Sequence, residues 1–287
     1  MLKNDNNSNG TLNIVSLPIG NLKDITLRAL ETLNMSDIIY CEDTRVTMKL
    51  TNHYDIDTKL KSYHEHSTAK ARGKIIEELK AGNNIALVSD AGTPLISDPG
   101  YKLIKEVQKR GYRISSSPGV SAPIMALSIS GMPTDKFFFI GFLPTKPNAK
   151  KEYLLEIKNI KATIILFESA KRVKKTLDSL LECFGNRKIS ICRELTKKYE
   201  EVVSGNTEDI IKNFSKRESI KGEIVIVVEG AQDLGSTKAD IELMLSNALI
   251  SMPASEAAKE VSKFTNLSRK EVYNMALTMT RKIKDET

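Results

Sequence analysis

The 287-residue sequence is short of the residue types that most often announce a function. It has three cysteines, Cys41, Cys183 and Cys192, odd in number and far apart. That excludes a disulfide framework and a cysteine-based zinc site, and it suits a reducing cytoplasm. No Gly-x-x-x-x-Gly-Lys-Ser/Thr loop, no Gly-x-Gly-x-x-Gly after the first strand pattern, no nucleophile elbow and no His-Glu-x-x-His occur. P-loop nucleotide chemistry, an ordinary dinucleotide site and the commonest hydrolase signatures are therefore excluded. No run of eighteen apolar residues is present, so no membrane span is expected. Of three histidines, two fall in Tyr63-His64-Glu65-His66. Alternate histidines on a strand share a face, but no third ligand is evident, and the expectation is no metal. The start, Met1 to Gly10, is polar with no apolar h-region, and reads as a disordered lead-in.

What is present is loop chemistry. Ser89 to Gly100 holds two glycines, two prolines and two carboxylates in twelve residues. It follows an apolar run, Ile85 to Val88, and precedes a helical pattern carrying Leu103, Ile104 and Val107. A plain connector needs less. In open α/β sheets ligands bind outside the carboxyl ends of the strands. Two further turns occupy equivalent places: Pro18-Ile19-Gly20-Asn21 after Thr11–Leu17, and Pro118 to Ala122 after Tyr112–Ser115. Asp24 is expected to cap the helix carrying Leu27, Leu30 and Leu33. Each turn alone could be ordinary punctuation; at three strand ends together they can line one crevice. Gly92 would let a ligand meet the backbone, and Gly20 and Asp90 are further candidates for holding it.

Residues 11–125 alternate strands (Thr11–Leu17, Asp37–Cys41, Ile85–Asp90, Tyr112–Ser115) with helical patterns, which predicts an α/β domain with a largely parallel sheet. A second α/β domain is expected over 126–231, with strands at Lys136–Phe142, Thr163–Phe167, Ile189–Arg193, Tyr199–Ser204 and Glu223–Val228 and a helix over Ala170–Phe184. After a polar linker, 240–287 is helical in pattern. There Ser268-Arg269-Lys270-Glu271 is a capping box, and two short helices around a tight turn resemble a helix-turn-helix. The tail is nearly charge-balanced, so it could pack as readily as grip phosphate. The net charge of +7 lies almost wholly in 144–175, where nine Lys and Arg face three acids. Lys150, Lys151, Lys174 and Lys175 are the candidates there for binding a polyanion such as RNA; the bland alternative is a solvated helix face.

Motifs in order across 11–230 carry a resemblance. They are Leu17–Leu22, Cys41-Glu42-Asp43-Thr44-Arg45, Val88–Gly100, Pro118–Ala122, Gly141–Pro144, Phe167-Glu168-Ser169, Cys192–Lys197 and Lys221-Gly222-Glu223. The chain resembles the S-adenosylmethionine (SAM)-dependent methyltransferases of the tetrapyrrole methylase superfamily. Within it, the chain is similar to the bacterial branch that methylates the 2'-oxygen of a cytidine in 16S rRNA, at position 1402 of the decoding centre. The resemblance implies two α/β domains with SAM in the cleft between them, a C-terminal helical extension and a homodimer. It implies cofactor contacts at Pro18, Ala91, Gly92, Thr93, Ile96, Ser121, Ala122, Glu168 and Leu195. Thr93 stands where the tetrapyrrole enzymes have aspartate, which points to backbone contacts more than side-chain ones. A ribose hydroxyl is a weak acid and needs a base or cation near its oxygen. Lys221 with Glu223, and Glu42 with Asp43 and Arg45, are the candidates; an ion pair tying strand to helix is the alternative for each. Two other functions stay open: methylation of a small tetrapyrrole, and RNA binding without catalysis.

Overall fold

The computed structural model describes residues 9–64, 67–232, 238–265 and 267–285. They group into two compact units divided between Glu229 and Gly230.

The larger unit opens with β1 (Thr11–Val15), α1 (Leu27–Met35), β2 (Ile38–Cys41), α2 (Thr44–His53), β3 (Lys59–Ser62), α3 (Ala69–Lys80), β4 (Ile85–Leu87), α4 (Tyr101–Lys109), β5 (Arg113–Ser117) and α5 (Ala122–Ile129). These five strands form one sheet in the order β3-β2-β4-β1-β5, parallel throughout. Helices fill the crossovers, as parallel pairing requires. Apolar residues cover both faces: Leu12, Ile14, Ile75, Ile85 and Leu103 on one, Val15, Leu33, Ile39 and Ala86 on the other.

The same unit continues with β6 (Phe137–Phe142), α6 (Pro147–Ile157), β7 (Thr163–Ser169), α7 (Val173–Phe184), β8 (Lys188–Arg193), β9 (Glu201–Asn206), α8 (Thr207–Ser215) and β10 (Glu223–Val228). This second sheet runs β6-β7-β10-β8-β9. Only β6 and β7 are parallel; the other pairs are antiparallel. β10, a run of Ile and Val at its centre, is buried from Ile224 on. α7 buries Leu177, Leu180 and Phe184 and stops at Gly185, whose φ of 75° ends it cheaply. One apolar cluster joins the two sheets: Ile19 from the first half, Ala126 and Leu127 on α5, and Ile165, Leu195, Val225 and Val227 from the second.

The smaller unit is helical: α9 (Lys238–Leu249), α10 (Ala254–Ser262) and α11 (Arg269–Asp285), packed around Ile241, Leu245, Ala257, Ala258, Val261, Val272 and Ala276. Its capping box is formed, with Ser268 N–H donating to Glu271 (2.7 Å) and Glu271 N–H to Ser268 Oγ (3.3 Å).

Several local expectations are corrected. Asp24 does not cap α1. Leu22–Asp24 is a short 3-10 helix capped by Asn21, and Thr26 caps α1 by accepting from Ala29 N–H (3.1 Å). β3 was not expected as a strand; Lys-Leu-Lys-Ser is polar because it lies at a sheet edge. It ends before Tyr63, and Glu65 and His66 lie outside the described residues. β9 starts at Glu201, leaving Tyr199 out of the ladder. Gly10, placed in the lead-in, is buried and donates to Leu79 O (2.7 Å); residues 1–8 lie outside the described residues.

Candidate active site

β4, β1 and β5 are neighbours and parallel, so the turns that follow them emerge side by side from one end of the sheet. They are also bonded together. Leu17 and Gly92 exchange backbone hydrogen bonds of 2.9 and 3.0 Å. Thr93 Oγ1 accepts from Ser16 Oγ and donates to Val120 O, both at 3.0 Å. One side chain thus fastens the second turn to the first and the third. The residue that departs from the tetrapyrrole pattern has a structural task that an ionised aspartate, which only accepts, could not perform in the same way.

Facing these turns are the ends of β6, β7 and β8 and the start of β10. Between the two sets lies a cleft of about 390 Å3. Of the cofactor candidates, Asp90, Ala91, Gly92, Thr93, Ile96, Ser121, Ala122, Glu168 and Leu195 line it. Pro18 and Gly20 do not; Ile19, between them, does. Phe142, Phe167 and Val225 add apolar wall, the composition expected of a small-molecule site. Gly92 has a φ of 71°, and a Cβ there would stand 3.3 Å from Ile19 Cγ2.

Glu168 is a buried charge, only 2 % exposed. Its carboxylate accepts from Thr176 Oγ1 (2.5 Å), from Ser169 N–H (2.7 Å) and from Arg172 Nη2 (3.2 Å), and forms an ion pair with that guanidinium. Lys150, 7 % exposed, donates its Nζ to Thr176 Oγ1 (3.1 Å). Burial holds the Lys150 pKa below the ordinary lysine value, with Arg172 and Lys175 adding repulsion against the pull of Glu168. Lys150 is therefore part of the interior and not an open phosphate contact. Its partners in the basic segment are mostly occupied as well: Lys151 pairs with Glu182, and Lys174 Nζ donates to Arg217 O (2.9 Å). Of the four, Lys175 is the exposed one whose ammonium has neither a side-chain nor a backbone partner among the described residues.

The two catalytic clusters separate. Arg45 is fully solvent-facing and forms an ion pair with Asp43 (2.6 Å), which caps α2; neither they nor Glu42 line the cleft. The Asp43 N–H does reach Asp90 Oδ1 (3.0 Å), so this cluster buttresses the loop. The Glu42 pKa is raised above its ordinary value by burial, then by Asp90 and Asp98. Glu223 and Gly222 line the cleft, whereas Lys221 faces an adjoining hollow.

Sequence reasoning missed two residues that bear on the site, one lining the cleft and one bonded to Glu223 in its wall. Asp98 lines the cleft, and burial, with Asp90 nearby, raises its pKa despite a hydrogen bond from Ser89. Lys197 donates to Glu194 (2.8 Å) and Glu223 (2.9 Å). Burial opposes its charge, but the bonds to these two carboxylates outweigh that and raise its pKa, so it is a fixed cation. Its stem lies where a Cβ on Gly20 would be, and the Glu194 side chain lies where a Cβ on Gly222 would be. Both glycines make room for this ion cluster. Gly20 was expected to admit a ligand; it admits Lys197. The signal was there in Cys192–Lys197, read only as a motif.

Comparison with known proteins agrees with this geometry. The family model described as Tetrapyrrole (Corrin/Porphyrin) Methylases matches residues 11–211. The chain belongs to that family. A second model, the RsmI C-terminal HTH domain, matches 236–280. A Rickettsia prowazekii protein named Ribosomal RNA small subunit methyltransferase I is 47 % identical over 267 residues, 92 % of this chain and 95 % of that one. The Bacillus subtilis protein of the same name is 41 % identical, covering 92 % and 93 %. Within the tetrapyrrole methylases, the chain therefore belongs with the ribosomal RNA small subunit methyltransferase I proteins, a family of methyltransferases. The structure titled uroporphyrin-III-C-methyltransferase from Thermus thermophilus superposes with a TM-score of 0.55 at 18 % identity, over 77 % of this chain and 94 % of that one, which establishes the shared fold.

Proposed function

We propose that the protein uses SAM to methylate the 2'-oxygen of a cytidine in 16S rRNA, position 1402 in the decoding centre, and that it works as a homodimer in the bacterial cytoplasm. The observation that carries the reading is the cleft: an apolar chamber floored by three backbone-rich turns, in a chain whose 40–47 % identical relatives are named for ribosomal RNA. The tetrapyrrole acceptor is the weaker reading, because the solved structures with such titles share only the fold. Free thiols at all three cysteines suit the cytoplasm. The exposed Phe137 and Phe138 on the edge strand β6 support a dimer contact.

The residues fit SAM. Ala91–Thr93, Ser121 and Ala122 line the cleft, Gly92 presents no side chain, and Leu195 and Phe167 offer apolar surface. Glu168 spends its carboxylate on Arg172, Thr176 and Ser169, so it shapes the cleft instead of bonding across it. When bound, SAM supplies a methyl group on a positively charged sulfur, already activated for displacement. The protein's part is then positioning and proton removal. Glu223 at the cleft wall, with Lys197 bonded to it, holds the ribose; the Lys197 ammonium also favours negative charge growing on the 2'-oxygen. Asp98, a carboxylate with a raised pKa, takes the proton.

The product should be a ribose methyl, tested by alkaline hydrolysis of 16S rRNA after reaction with the protein and labelled SAM. The label should sit at a nucleotide that alkali no longer cleaves; cleavage at the labelled nucleotide would refute the reading. Asp98→Asn should lower kcat about a hundredfold and leave SAM affinity nearly unchanged. Since the base works ionised and burial raises its pKa, wild-type kcat should fall on the acid side at a pH above the ordinary aspartate value. An Asp98→Asn variant with wild-type kcat and the same acid limb would remove Asp98 from that role.

A further inference from the structure

Beside the cleft lies a second hollow, of about 330 Å3, lined by Arg193, Tyr199, Arg217, Ser219, Ile220 and Lys221. The two are lined by consecutive residues: Arg193 follows Cys192, and Lys221 precedes Gly222 and Glu223, and Cys192, Gly222 and Glu223 line the cleft. Gly222 has a φ of 94°, so the chain turns sharply between the two concavities.

The hollow carries surplus positive charge. Glu201 accepts from both Nη atoms of Arg217 (2.8 Å each) and from Arg193 Nε (2.9 Å). The Arg217 contacts first, then Arg193, hold its pKa at about 2. One carboxylate thus faces two guanidiniums, leaving a positive charge uncompensated. Lys221 adds another, with no side-chain partner among the described residues. Arg217 is itself fixed, stacked 4.2 Å from the Phe214 ring and bonded to Asn213 Oδ1 (2.9 Å). Tyr199 lines the same hollow, 66 % exposed although it is a large aromatic, with Lys198 Nζ 5.7 Å from its ring centroid. An exposed ring beside a group of cations is the combination by which proteins hold single-stranded nucleic acid: the ring stacks on a base and the cations take the phosphate. An acidic peptide would use the cations but give the ring no planar partner.

We propose that this hollow binds the nucleotide adjacent to the one methylated, with its base stacked on Tyr199 and the intervening phosphate held by Lys221 and the spare charge of the Arg193–Arg217 pair. The proposal rests on the ribose-methylation reading above and names how that substrate is gripped. It also gives Lys221 a task other than catalysis.

The test uses the full chain, SAM and small ribosomal subunits lacking the modification. Tyr199→Ala should raise KM for the subunits roughly tenfold, with kcat and the SAM dissociation constant within twofold of wild type. Tyr199→Phe, which keeps the ring, should restore KM. Lys221→Gln should lower the salt slope of subunit binding by about 0.7 to 0.9, the value of one phosphate contact. Ultraviolet crosslinking of the wild-type complex should leave a nucleotide adduct on the peptide containing Tyr199. Wild-type KM in Tyr199→Ala, a wild-type slope in Lys221→Gln, or a Tyr199 peptide crosslinked to a ribosomal protein would each overturn the proposal while wild-type methylation upholds the reading beneath it. A wild-type protein that fails to methylate the subunits would bring down both.

Discussion

Glu168→Ala should lower the stability of the two-sheet unit by about 3 to 5 kcal/mol, the usual cost of removing one partner from a buried ionic group. Arg172 would lose its carboxylate, and Thr176 and Lys150 would lose the acceptor that ends their hydrogen-bond chain. Two cations would remain around a small cavity, with nothing to balance them. At roughly 2–4 °C per kcal/mol for a unit of this size, the melting temperature should drop on the order of 10 °C. Glu168→Gln, which keeps the shape and loses the charge, should fall between the variant and wild type. Thermal melting followed by circular dichroism reads all three. A melting temperature within 2 °C of wild type for Glu168→Ala, a bound set at about one-fifth of the expected drop, would mean that the cations reach water and that the network is not the anchor described.

Gly92→Val acts on the other wall. Valine must adopt a φ that L side chains rarely take, and its Cβ would press on Ile19 and project into the space over the Leu17–Gly92 bridge. Affinity for SAM should fall at least tenfold, about 1.4 kcal/mol, by isothermal calorimetry. Because the substitution also strains the turn, circular dichroism must show a folded chain, and Gly92→Ala, smaller but equally strained in φ, separates the two causes. A folded valine variant with wild-type affinity would take the loop out of the site.

The fold was legible where chemistry follows periodicity. β10 is a buried run of Ile and Val and reads as one; the loop after β4 reads as a ligand loop because Gly and Pro crowd into it. β3 was not legible, since an edge strand of Lys-Leu-Lys-Ser carries no apolar signal. Lys150 misled for a related reason. Sequence shows a charge in a basic run but not that α6 turns this one inward to Thr176, while Lys175 stays in solvent. Lys197 was hidden differently. Its importance comes from Gly20, far away in sequence, which leaves the space its stem fills, and from Glu223, which meets its ammonium across two strand ends. Such a cluster exists only after folding. Asp98 lay in the loop already singled out, but its raised pKa depends on Asp90 and on burial, neither of which spacing reveals.

Thr93 fastens three turns that belong entirely to the parallel sheet, whereas Phe142, Glu168, Leu195 and Glu223 all belong to the mixed one. The two walls of the cleft are thus separately constructed. Substitutions in the second wall can therefore reshape the cleft without loosening the hydrogen-bonded knot that holds the first.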